Sequence, residues 1–293
     1  MIGILFALLS SLFFGLYIVP RKLSKLPAVQ FSTLMAIGFS VGSIVLYLVQ
    51  IALGNNEGLG DPDLLFAVLA GAMWATALML LVKSIDVIGI ARSNQWKNLQ
   101  GPVGVILALI VLNETATVNP LFALLSGFAI FTSALLFNIQ SGKQDKNQNK
   151  RGVILALTSG LLFGSVAIIN KYVTDNAGVY SQQVIWSLSI LGSLLLYQIF
   201  TKQLSGKMLK KGKDLNLGLS SGFLYLGASL FFLLSLKTTE ASITFTIVQM
   251  NFLVVIVLGI FVFHEFKFKG NKKRVALGLL FALAGVALLT FAR

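Results

Sequence analysis

Two polar stretches sit inside apolar runs of a 293-residue chain. ARSNQWKNLQGP, residues 91–102, holds two cations, Arg92 and Lys97, the Trp96 indole, and the amides of Asn98 and Gln100. TFTIVQMN, residues 244–251, holds Gln249 and Asn251. An amide donates and accepts at once, which suits a hydroxyl-rich solute. The same groups can also bond to neighbouring helices and hold a bundle together, at about 0.6 to 2 kcal/mol each. Pro102 predicts a bend, because inside a helix it clashes with the carbonyl four residues back and would free the Asn98 acceptor. Trp74 and Tyr225 lie about ten residues into their own apolar runs, too deep for interface anchors, and offer rings against which a solute could stack.

The cations need an explanation. A charge in mid-membrane costs at least about 2.5 to 3.5 kcal/mol and must face a cavity or a partner. At about 1.5 Å per residue, Arg92 lies about 7 Å inside its run and can snorkel, whereas Lys97 lies about 15 Å in. Asp86, Glu114, Glu240 and Glu265 all fall at predicted span ends. Lys97 is therefore solvated in an open cavity, faces an anionic substrate, or titrates with transport. His264, in VFHE, can titrate but falls at the rim. Gln182 and Gln183 open another apolar run in YSQQVIW, where they reach a cavity or merely mark a helix end.

The elements that must hold these residues follow from composition. The chain is 56% hydrophobic and 11% charged, against about 25% charged in a soluble domain. It reads as an all-α integral membrane protein. Ten spans of roughly the length a bilayer needs are predicted at 2–20, 28–53, 63–82, 87–112, 119–139, 152–171, 179–201, 215–236, 241–263 and 275–292. The first lacks a basic leader and a small-residue cleavage site, and is expected to stay as a helix. Eighteen Lys and Arg fall in the odd-numbered loops and two, Lys171 and Lys237, in the even ones. The odd loops are therefore expected on the cytoplasmic side of the cell membrane, with both termini outside. The formal charge of +13 is explained by those loops and not by nucleic acid. With no Cys and one His, no metal site and no cofactor are expected. No catalytic carboxylate pair or Ser/His/Asp set is present, so an enzyme is not expected.

The polar linker at 141–151 divides the chain into 1–140 and 152–293. A shift of 149 residues aligns GILFALLSSLFFG with GVILALTSGLLFG, pairing Gly3 with Gly152, Ser10 with Ser159 and Phe14 with Phe163. A shift of 151 aligns 71–114 with 222–265 without a gap. It pairs Gly71 with Gly222, Trp74 with Tyr225, Ser84 with Ser235, Asn98 with Gln249, and Gln100 with Asn251. Five spans per half is odd, so the second half would enter from the opposite side. That is an inverted-topology repeat of two five-helix halves, the arrangement that permits alternating access.

With LFFGLYIVPRK (12–22), MWATALMLLVKSIDVIGIARSN (73–94), VLNE (111–114) and FTIVQMNFLVVIVLGIFVFHE (245–265), the chain resembles the ten-span drug/metabolite transporter superfamily and, within it, the glucose/ribose porters. The resemblance implies uptake of a sugar or similar solute, with Asn98, Gln100, Gln249, Trp74 and Tyr225 at the site. Arg92, Trp96 and Lys97 depart from the small neutral residues that family shows. They keep open an exchanger of small organic anions with Lys97 meeting the anion. An exporter of metabolites or drugs, as elsewhere in the superfamily, is also open. The expected partners are a small-molecule substrate and membrane lipid. Protons or another ion could drive the flux, and glycine-rich helices permit a homodimer.

Overall fold

A computed structural model describes residues 2–88, 93, 96–137, 146–203, 212–261 and 272–292. Among the described residues every regular element is helical. In chain order these are α1 (Ile2–Leu16), α2 (Ile18–Leu23), α3 (Ala28–Ala52), α4 (Leu64–Ile88), α5 (Gln100–Val111) and α6 (Pro120–Phe137). They continue with α7 (Lys146–Asn176), α8 (Val179–Phe200), α9 (Gly212–Thr238), α10 (Ala241–Val248), α11 (Asn251–Phe261) and α12 (Lys272–Ala292). Among the described residues, seven stretches are long and apolar enough to cross a membrane, and three shorter apolar helices fall within the fourth, fifth and ninth predicted spans.

The helices are apolar outside and small or polar inside. In α1 the buried positions are Gly3, Ala7, Ser10, Ser11 and Gly15, while Leu5, Leu8 and Leu12 are exposed. Lipid is as apolar as leucine, so helices associate through close packing and hydrogen bonds between small residues. Two predicted boundaries move. α4 runs on to Ile88 and carries Lys83 and Asp86 on its last turns, where a loop was expected. α7 starts at Lys146, so residues 146–151 of the expected linker are helical.

The chain forms two compact units, 1–76 with 169–238, and 77–168 with 239–293. Each draws on both sides of the linker. In the first unit α9 packs along α1 and α3, and α3 packs on α8. Ser10 donates to the Ala228 carbonyl and Ser235 to the Gly3 carbonyl, each at 2.8 Å. Gly222 lets α9 meet the α3 backbone, for a Cβ there would collide with the Met35 carbonyl and the Phe39 nitrogen.

In the second unit α6 packs on α12, and α5 packs on α6 and α10. Ser159 donates to the Ala77 carbonyl and Ser84 to the Gly152 carbonyl, again at 2.8 Å. These two bonds join the residues that the shifts pair with Ser10, Ala228, Ser235 and Gly3.

Each unit also fixes a helix start with a carboxylate from a distant part of the chain. Glu57 accepts from the backbone N–H groups of Val179, Tyr180 and Ser181, at 3.2, 2.7 and 3.0 Å. Gly178, with φ +98°, permits the approach. Glu114 accepts from the Ala241 and Ser242 N–H groups at 2.5 and 3.0 Å, and from the Ser242 hydroxyl at 2.6 Å. Both carboxylates meet the positive end of a helix dipole and satisfy N–H groups that have no partner within the helix.

Candidate substrate-binding site

The predicted residues divide between the units. In the second unit, both polar segments interrupt helices. Before α5, Leu99 N–H reaches the Trp96 carbonyl and Gly101 N–H the Asn98 carbonyl, each three residues back at 3.2 Å. Between α10 and α11, Met250 N–H reaches the Ile247 carbonyl at 3.0 Å and Leu253 N–H the Met250 carbonyl at 2.9 Å. The turns at 98–99 and 249–250 fall on residues that the 151-residue shift pairs. The expected effect of Pro102 is corrected: the Asn98 carbonyl is taken by Gly101, and Pro102 stands in the first turn of α5. There its missing N–H lacks a helical partner in any case.

Gln100 Nε2 donates to Gln249 Oε1 at 3.2 Å, joining the two interrupted helices. Gly101 permits this contact, because a Cβ there would come within 2.9 Å of the Gln249 Cγ. Beside the pair lies a small pocket lined by Asn98, Pro102, Thr246, Gln249 and Phe252, with Phe131 among its α6 residues. It offers amide and hydroxyl groups against aromatic walls. Asn251 is half-buried and opens α11.

Lys97 is half-buried, and its Nζ lies 5.5 Å from the centroid of the Phe163 ring. A cation over a ring face is attracted by about 0.5 to 2 kcal/mol. α7 comes this close through two glycines. A Cβ on Gly160 would fall 2.7 Å from the Lys97 carbonyl oxygen, and one on Gly164 3.1 Å from that of Gln100. Trp96 is 38% exposed. Arg92, His264 and Glu265 lie outside the described residues.

In the first unit Trp74 and Tyr225 meet edge to face at 5.4 Å. The Trp74 indole donates to the Tyr225 hydroxyl. Tyr225 is also ringed by Phe14, Tyr17, Phe39 and Trp186, at 5.6, 5.3, 4.9 and 6.4 Å. Gln182 is engaged within the unit, donating to the Asn170 carbonyl at 3.0 Å and accepting from the Thr174 hydroxyl at 2.6 Å. Gln183 turns the other way, donating to the Ser229 hydroxyl at 2.5 Å. Sequence reasoning passed over Phe163, Trp186 and Thr246. The 149-residue shift carried a signal for Phe163, which it pairs with Phe14, and helical spacing carried one for Trp186, three residues after Gln183.

The profile of a family described as "Sugar transport protein" matches residues 5–292. The chain is 23% identical, over 307 aligned positions and the whole of both chains, to "Probable glucose uptake protein GlcU" of Bacillus cereus. It is 23% identical, over 268 positions and 87% of each chain, to a protein of the same name from Bacillus anthracis. It superposes on a solved structure described as "Crystal structure of protein" with a TM-score of 0.77, covering 99% of this chain and 96% of that one. At 11% identity that likeness is one of fold.

Proposed function

The chain belongs to the sugar transport protein family, and from that premise we propose that it is a secondary transporter of a small, polar, sugar-like solute. It works by alternating access between two inverted repeats, residues 1–140 and 152–293. The observation that carries this is the pair of helix interruptions at Asn98–Leu99 and Gln249–Met250, with Gln100 bonded to Gln249. Interrupted helices line substrate sites in transporters because their loose backbone must face a cavity. The duplicated serine bonds support the repeat. The relatives' names, both of glucose uptake proteins, support a hexose or similar solute. The proposed substrate-contacting residues are, in the second unit, Trp96, Lys97, Asn98, Gln100, Gln249 and Asn251, with Arg92 in the same polar segment, and, in the first unit, Trp74 and Tyr225. The basic odd-numbered loops face the cytoplasm and the termini face outside.

Lys97 favours a second reading, exchange of small organic anions, because it is a half-buried cation beside the amides. The same charge disfavours export of cations. Counterflow in proteoliposomes separates the readings, using neutral sugars, polyols, sugar acids and sugar phosphates with wild type and Lys97→Gln. Neutral-sugar flux that survives the substitution is expected. Flux of anions alone, lost with Lys97, would overturn the neutral-sugar reading.

A further inference from the structure

Four helices of the first unit converge on one uncharged cluster. α3 brings Phe39, α4 brings Trp74, α8 brings Gln183 and Trp186, and α9 brings Tyr225. The Phe39 ring stands 6.0 Å from Trp186 and 4.9 Å from Tyr225. Buried polar atoms nearly always find a hydrogen-bond partner. Here two do not: the Trp186 indole N–H and the Gln183 Oε1 have no partner among the described residues. Both side chains are buried, at 2% and 0% exposure. An unmet buried group costs roughly 1–3 kcal/mol, so two in one cluster suggest that a ligand completes them.

The identity of the free atom on Gln183 is fixed by its neighbours. Its amide nitrogen lies 2.5 Å from the Ser229 hydroxyl and 3.5 Å from the Leu226 carbonyl. A carbonyl only accepts, so the nitrogen must face it and the oxygen is left over. Gln183 and Trp186 are three residues apart on α8 and share a face. One is a pure donor, the other a pure acceptor. A hydroxyl group is both at once: it can accept from the indole and donate to the amide. Phe39, Trp74, Gln183, Trp186, Tyr225 and Ser229 carry no charge, so an anion would meet no countercharge among them. Rings beside an unmet donor and an unmet acceptor, three residues apart on one helix, suit the apolar C–H face and hydroxyl rim of a saturated sugar.

We propose that Gln183 and Trp186 form the hydrogen-bonding edge of an aromatic-walled site, within the first unit, that takes one hydroxyl of a neutral, polyhydroxylated ring. This rests on the sugar-transport reading and adds the residues that discriminate the solute.

The test uses the full chain in proteoliposomes, with D-glucose and its monodeoxy analogues as probes. The variants are Gln183→Met, which keeps length and removes the acceptor, and Trp186→Phe, which keeps a ring and removes the donor. Each is expected to raise the KM for glucose about tenfold, the worth of one neutral hydrogen bond at the upper end. One deoxy analogue should bind wild type about tenfold more weakly than glucose, yet lose nothing further in either variant. For a variant that folds but carries no flux, the rise in Tm with added glucose reads binding directly. Variants that weaken glucose and every deoxy analogue by one common factor, or that weaken none, would overturn the proposal, because a packing role or a buried water gives that pattern. A wild type that carries no neutral sugar would instead sink the transport reading itself.

Discussion

The two units share their joints and differ in their contents. Each fastens a pair of helices with the same serine-to-carbonyl bonds at 2.8 Å, between residues that the sequence shifts pair. Each anchors a helix start with a glutamate from a distant part of the chain. Yet the first unit fills its centre with five rings around Tyr225. The second places a cation and an amide pair where helices are interrupted. The positions that the sequence shifts pair are thus alike where backbones meet and small residues fit, and differ at the ring and amide positions. The clearest example is the pair Phe14 and Phe163. The first packs its edge on Tyr17, Tyr225 and Phe232. The second lies under the Lys97 ammonium.

The largest expected effect tests the anchored helix starts. Glu114 is 7% exposed and accepts three hydrogen bonds, whereas Glu57 is only half-buried. Glu114→Ala strands buried N–H groups and is expected to cost about 3 kcal/mol, while Glu57→Ala, which removes a carboxylate already half-exposed to water, is expected to cost about 1 kcal/mol. Thermal unfolding in detergent reads both as a fall in Tm. Glu114→Gln should recover part of the loss by keeping one acceptor. An equal fall for the two alanine variants would show that burial does not distinguish the anchors.

Next in size are the ring partners. Phe14→Leu gives up three edge-on ring contacts, each worth about 0.5 to 1.5 kcal/mol, and is expected to destabilise by about 2 kcal/mol. Phe163→Leu gives up one cation–ring contact, about 1 kcal/mol. The second loss should vanish on a Lys97→Met background, because the cation that made the contact is gone. A Phe163→Leu cost that is the same with and without Lys97 would mean the ring serves packing alone.

The legibility of these features in the sequence followed their physical cause. Helical membrane architecture was readable because lipid demands long apolar runs, whereas the sequence shifts paired the glycines and serines without showing that they are joints between helices. The interruptions at 98–99 and 249–250 were half readable. Pro102 and the amides marked the place, but the turn closes through bonds three residues back, and Pro102 begins a helix where a kink was expected. The extension of α4 to Ile88 was missed because Lys83 and Asp86 read as loop residues, although charged side chains near a helix end can reach water. Trp186 and Gln183 were obscured for a different reason: a buried indole or amide looks like any other until its partners can be counted.

The smallest effect is the most exacting test of the shared joints. Ser10 and Ser159 are both fully buried, and each donates one 2.8 Å bond, to the carbonyls of Ala228 and Ala77. Their alanine variants should each cost about 0.6 kcal/mol, the average for a hydrogen bond between membrane helices, and should match one another. Ser84 adds to its bond with the Gly152 carbonyl a 2.8 Å bond with the buried Ser93 hydroxyl. Ser84→Ala should therefore cost more than Ser159→Ala by a few tenths of a kcal/mol. Matched losses at Ser10 and Ser159 and a larger loss at Ser84 would trace the common joint and the added bond separately. Unequal losses at Ser10 and Ser159 would mean that equivalent bonds are not energetically equivalent, and that the likeness of the two units is one of sequence and geometry alone.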